Sequence, residues 1–138
     1  MDMKKQTGDR MKETVLLYGF KDQERLKKVK RALLPLGLRM RTVGPEEYFQ
    51  PVGYLAGVKE VPPAENDRPG TEFDCEMMVM AGLASAQVDA VIHALYRSGV
   101  GRIDYKAVLT PVNQFWDGEK LYEEIAREHE AMTKGGSQ

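Results

Sequence analysis

Within eleven residues the chain places a cation, a hydroxyl, a carboxamide and an aromatic ring: Lys106, Thr110, Asn113 and Trp116. A helix is expected to open just beyond Trp116, and the unpaired amides of a helix N-terminus attract negative charge. As a binding site the set suits a small anion or the carboxylate of a peptide. The same residues can also serve structure alone. Pro111 pushes Thr110 out of the helical region, Asn113 can bond the backbone two residues on, and Trp116 can staple the helix start. No nucleophile sits beside a base here, so the run predicts ligand or partner binding and no catalytic residue.

A second group is electrostatic. Lys21, Arg25, Lys28 and Arg31 fall on or near one helical face, and Arg39 and Arg41 on the following segment extend the patch. Cations so grouped bind a phosphate backbone. Base reading by an RNA module would also need exposed aromatics on a strand, and residues 77–83 contain none. Polyanion or nucleic-acid binding is therefore the alternative reading, beside a plain solvated helix face.

Other chemistry fails on spacing. Cys75, Met77, Met78 and Met80 offer soft sulfur donors, but strand alternation puts 75 and 77 on one face and 78 and 80 on the other, so no metal site is predicted. Asp89, His93 and Arg97 form a wet helical stripe, and His129 sits near the polar end of the last helix. Gly99-Val100-Gly101 closes a helix rather than opening one, and no phosphate-loop motif occurs, so no cofactor is predicted. An enzyme would need groups such as Asp104, Glu119 or His93 to converge from far apart.

The elements that must position these residues come in two sets. Residues 15–20, VLLYGF, read as a buried strand. Asp22 then caps a helix carrying Leu26, Val29, Leu33 and Leu36, Pro35 and Gly37 close it, and residues 38–43 alternate as an edge strand. Residues 77–83 repeat the apolar run, Ser85 is the expected cap of a helix through Val88, Val91, Ile92 and Leu95, and residues 103–109 give a second outer strand. Asp117 caps a closing helix through Leu121, Tyr122, Ile125 and Met132. Pro45, Phe49 and Leu55 recur at the same spacing as Pro111, Phe115 and Leu121, which marks an internal repeat. The expected division is a tail at 1–13, a first β-α-β repeat at 14–57, a linker at 58–75 and a second repeat with closing helix at 76–133, all forming one domain.

Two such units predict an α+β fold: a ferredoxin-like sandwich with a four-stranded antiparallel sheet, helices on one face and a C-terminal helix. The alternative is a small doubly wound parallel sheet. The loops at 44–57 and 110–117 are expected to converge in the second arrangement and to lie at opposite ends in the first.

Residues 76–132, above all the run YKAVLTPVNQFW at 105–116, resemble a short bacterial family of domains of unknown function. Gly82 stands where the family's apolar strand ends in Gly, and Lys106, Ala107, Leu109, Thr110, Pro111, Asn113 and Trp116 stand at the positions of its KAVLTPxNxxW-like stretch. The first half looks like a degenerate copy, with Gly44, Glu47 and Gln50 in place of Thr110, Asn113 and Trp116. The resemblance implies a bacterial setting and supports the fold, and it implies no activity.

Composition bounds the rest. The chain has 138 residues, 20 Lys+Arg against 21 Asp+Glu, and a single cysteine. That length fits one domain, and one cysteine rules out an intramolecular disulfide framework. No run of about 18 apolar residues and no apolar leader occur, so the expectation is a cytoplasmic protein away from membranes. Residues 1–43 carry 12 basic and 5 acidic residues, a balance of +7, and residues 44–76 carry 2 and 8, a balance of −6. Such blocks suit a partner surface or self-association. The sequence thus predicts a noncatalytic module that binds a small molecule or a protein partner and forms a homo-oligomer.

Overall fold

The computed structural model describes residues 12–136, so most of the expected 1–13 tail lies outside the described residues. Strand β1 (Thr14–Tyr18) is buried at all five positions, as an apolar run must be when both sheet faces are covered. Gly19 turns the chain away at φ +74°, where a Cβ would lie 2.7 Å from the Cys75 carbonyl oxygen. Asp22 caps helix α1 (Gln23–Leu33), its carboxylate accepting from the amides of Glu24 and Arg25. Pro35 and the left-handed Gly37 end it through the turn Leu34–Leu36. Strand β2 (Arg39–Val43), the turn Pro45–Glu47 and the short helix α2 (Val52–Ala56) complete the first half.

The second half follows the same order: β3 (Met77–Ala81), α3 (Ser85–Arg97), β4 (Tyr105–Val108), a turn at Asn113–Phe115 and α4 (Gly118–Gly136). Ser85 is the first residue of α3 and not its cap; the Gln87 side-chain oxygen accepts from the Ala84 amide at 2.7 Å instead.

The sheet order is β2-β1-β3-β4. β1 is parallel to β2, β3 is parallel to β4, and the two pairs meet antiparallel along β1 and β3. This mixed sheet replaces both the antiparallel ferredoxin-like sheet and the all-parallel alternative, because each crossover helix returns the chain to the neighbouring strand. Burial gives the physical reason. β1 and β3 are apolar on both faces, and helices on one face alone would leave Leu16, Tyr18, Met77 and Val79 in water. One face instead packs Val15, Leu17, Met78 and Met80 against α1 and α3. The other packs Leu16, Tyr18, Met77 and Val79 against Tyr48, Val52, Leu55, Phe73 and Leu121.

The linker at 58–75 is anchored across this second face. Val61 and Phe73 are buried, Gly70 donates to the Pro45 carbonyl at 2.9 Å, and Ala64 donates to the Gln50 side chain at 2.8 Å. Arg68 pairs with Asp117 at 3.0 Å, tying the linker to the start of α4.

Candidate functional site

The two strand-to-helix tails converge although the sheet is not parallel. Val52 donates to the Trp116 carbonyl at 2.8 Å, Gly118 donates to the Tyr48 carbonyl at 2.9 Å, and Pro51 and Asp117 form an isolated antiparallel bridge. Pro51 and Asp117 occupy equivalent places in the two halves, six residues past Pro45 and Pro111. The tails therefore meet where the halves are related to each other, and the 110–117 run rests on α2 rather than standing at a remote end.

On the outer side of that run, a groove of about 320 Å³ lies between the open edge of β4 and α4. All four residues singled out above, Lys106, Thr110, Asn113 and Trp116, line it, together with Leu121, Glu124, Ile125 and Glu128 of α4. Thr110 and Asn113 bond each other reciprocally: the Thr110 amide donates to Asn113 Oδ1 at 2.8 Å and the Asn113 amide to Thr110 Oγ1 at 3.0 Å. Asn113 Nδ2 also donates to the Val108 carbonyl at 3.1 Å. These groups build a rigid corner and leave no free carboxamide for a ligand.

Lys106 reaches the groove only as part of the strand. Its neighbours Tyr105 and Ala107 pack on the α4 face, whereas its partner across the sheet, Met78, faces α1 and α3. Its ammonium donates to the Ile103 carbonyl at 2.6 Å. Desolvation, with Arg102 close by, holds its pKa below the usual lysine value. With that ammonium turned away, Glu124 and Glu128 are the charged side chains that line the groove from α4. Glu124 stays ionised below the usual carboxylate range because it accepts from Arg127 and faces Lys120.

The edge itself is the groove's other asset. Leu109 donates to the Met80 carbonyl at 2.9 Å, so strand alternation turns Ala107 towards β3 and the amides of Lys106 and Val108 outward. Trp116 is half-buried, with Lys120 Nζ 4.9 Å from its ring centroid. Val108 is 43% exposed and Val112 67% exposed. The first half has no counterpart. There Glu47, in the place of Asn113, pairs with Arg41 at 2.7 Å, and Gln50, in the place of Trp116, is spent on the linker.

The basic patch is divided by the fold. Arg25 pairs with Glu76 at 2.7 Å and reaches the Val100 carbonyl. Arg39 and Arg41 share a sheet face with Val43, which packs opposite α1, because Met40 between them packs towards α1. The continuous surface from Lys21 to Arg41 is therefore not formed. Lys28 and Arg31 remain together and line a different cleft, with Arg97 of α3.

Asp89, His93 and Arg97 are exposed as the helical spacing requires. Met77 packs on one side of the sheet and Met78 and Met80 on the other, while Cys75 is exposed. Among the described residues no group of three His, Cys, Asp or Glu is placed to hold a metal, and no helix is long and apolar enough to cross a membrane.

Sequence reasoning missed a column of rings beneath the sheet. Tyr48 stacks on Phe73 and Phe73 on Tyr122, each pair at 4.0 Å, and Tyr122 continues to Tyr105 at 5.3 Å. These rings come from four segments, so no local spacing announces them. Tyr48 also donates to Glu72. Beside them the Tyr18 hydroxyl is buried without a hydrogen-bond partner among the described residues, and burial raises the pKa of both Tyr18 and Tyr48 well above the ordinary phenol value.

No curated protein and no solved structure matches the chain. Residues 76–132 match the family described as Domain of unknown function (DUF3783), so the matched segment holds β3, α3, β4 and the α4 residues that line the groove.

Proposed function

We propose that this chain is a noncatalytic binding module that takes an extended segment of a protein partner into the groove between β4 and α4. The observation that carries the reading is the pair of outward amides at Lys106 and Val108 on the edge of β4, beside an apolar wall of Ala107, Trp116 and Ile125. A strand laid along that edge gains backbone hydrogen bonds, and its alternate side chains meet the wall. Glu124 and Glu128 favour a segment in which basic residues alternate with apolar ones. The two β-α-β halves fit a duplicated unit, of which only the second keeps the groove.

Trp116 is the single tryptophan of the chain, so its fluorescence reports the groove directly. Titration with an alternating Lys–Val hexapeptide is expected to shift and saturate that signal, and the Glu–Val counterpart is expected to bind at least tenfold more weakly. Equal binding by the two peptides, or no response to either, contradicts the reading. Sedimentation without peptide identifies a competing occupant: a concentration-dependent dimer that shields Trp116 would put a second copy of the chain in the groove instead.

A further inference from the structure

A second concavity lies on the opposite side of the sheet, between the antiparallel helices α1 and α3. It is an open cleft of about 350 Å³ lined by Lys28, Arg31, Ala32, Pro35, Ala94, Arg97 and Ser98. Lys28, Arg31 and Arg97 make no ion pair with any described residue, whereas neighbouring Arg25 and Lys27 pair with Glu76 and Glu24. The chain carries one more acidic than basic residue, yet no acid lines this cleft. Ser98 turns its hydroxyl inward to the Leu95 carbonyl at 3.0 Å, so the cations dominate the lining.

Arg31 and Arg97 lie in or beside the last turns of their helices, where positive charge complements the helix dipole. That role would be met by cations spread over separate surfaces. It does not call for three from two helices around one apolar floor of Ala32, Pro35 and Ala94. Like charges gathered without counter-charge raise the free energy of the empty cleft, and a multivalent anion relieves it. Guanidinium groups bind phosphate oxygens in a planar, two-point geometry that a carboxylate-poor wall leaves free.

We propose that the α1–α3 cleft binds a compact ligand with two or more linked phosphate groups, held by Lys28, Arg31 and Arg97. The volume is at the small end for ligand sites, which suits linked phosphates with little body attached. This site is independent of the β4–α4 groove.

Isothermal titration with sodium tripolyphosphate tests it. The unaltered chain is expected to bind one equivalent, with affinity falling as salt is added. The pair Arg31→Gln and Arg97→Gln is expected to lose at least tenfold in affinity with an unchanged circular dichroism spectrum. Arg102→Gln removes an exposed cation paired with Asp104 at 3.0 Å outside the cleft and is expected to change nothing. Absence of binding at millimolar tripolyphosphate, or binding that the double variant leaves intact, overturns the proposal. A short single-stranded oligonucleotide is expected to bind at least tenfold more weakly than tripolyphosphate. Equal or tighter binding would overturn the compact ligand in favour of a nucleic-acid backbone.

Discussion

Asn113 shows how one side chain can be legible in sequence and still change meaning in the fold. Its spacing from Thr110 and Trp116 marked it, and the structure spends all its polar atoms on the Thr110 amide and the Val108 carbonyl. Asn113→Ala is therefore expected to cost about 1–2 kcal/mol of stability, the loss typical of a side chain that satisfies otherwise unpaired backbone groups. Chemical denaturation with an unchanged m-value checks this. Tyr18 predicts the opposite sign. Its hydroxyl is buried without a partner among the described residues, so Tyr18→Phe removes a desolvation penalty and is expected to stabilise the chain by about 1 kcal/mol. A loss of stability in the same assay would mean that the hydroxyl is satisfied in solution. Lys106 lines the groove while its ammonium bonds the Ile103 carbonyl, because the parity of a four-residue strand decides which face a side chain takes and sequence alone does not fix that parity.

The short elements carry the convergence of the two halves. Helix α2 approaches the 113–115 turn so closely that a Cβ on Gly53 would lie 2.8 Å from the Gln114 carbonyl oxygen and 3.0 Å from Val61. Gly53→Ala is thus expected to destabilise by about 1–3 kcal/mol through overpacking, outweighing the gain of about 1 kcal/mol in helix propensity. Thermal unfolding reads the sign, and a stabilised variant would show that the tails have room to separate. At this scale the sequence was most informative where caps and periodicity are local. Asp22 with Gly37, and Asp117 with its bond to the Lys120 amide at 2.8 Å, stand where the pattern placed them. Strand order was not legible, because the apolar runs at 14–18 and 77–81 report burial and not which neighbour each strand pairs with. Nor was the anchoring of the linker, since three prolines and scattered charges give no periodicity, and only the folded chain shows Phe73 between Tyr48 and Tyr122.

For the whole molecule the ring column and the groove are two sides of one arrangement: α4 covers the sheet through Leu121 and Tyr122 and walls the groove through Glu124, Ile125 and Glu128. The interior sets the alkaline limit. Tyr18 and Tyr48 both have folded pKa values raised by burial, so above about pH 10 the unfolded chain gives up their protons first. The stability they contribute is complete below that pH and is lost as pH rises further. Of the six tyrosines, these two are expected to add their share of the tyrosinate absorbance only with cooperative unfolding; the full six-tyrosine absorbance in the folded protein would contradict their burial. The binding reading is tested most directly at the edge strand, by amide hydrogen exchange of the chain with and without the alternating Lys–Val peptide. Lys106 and Val108 amides, which face the open edge, are expected to gain protection, while Ala107, already turned to β3, is expected to stay as it was. Protection that leaves Lys106 and Val108 unchanged, or that rises elsewhere on the molecule alone, would contradict the β4–α4 groove as the partner site.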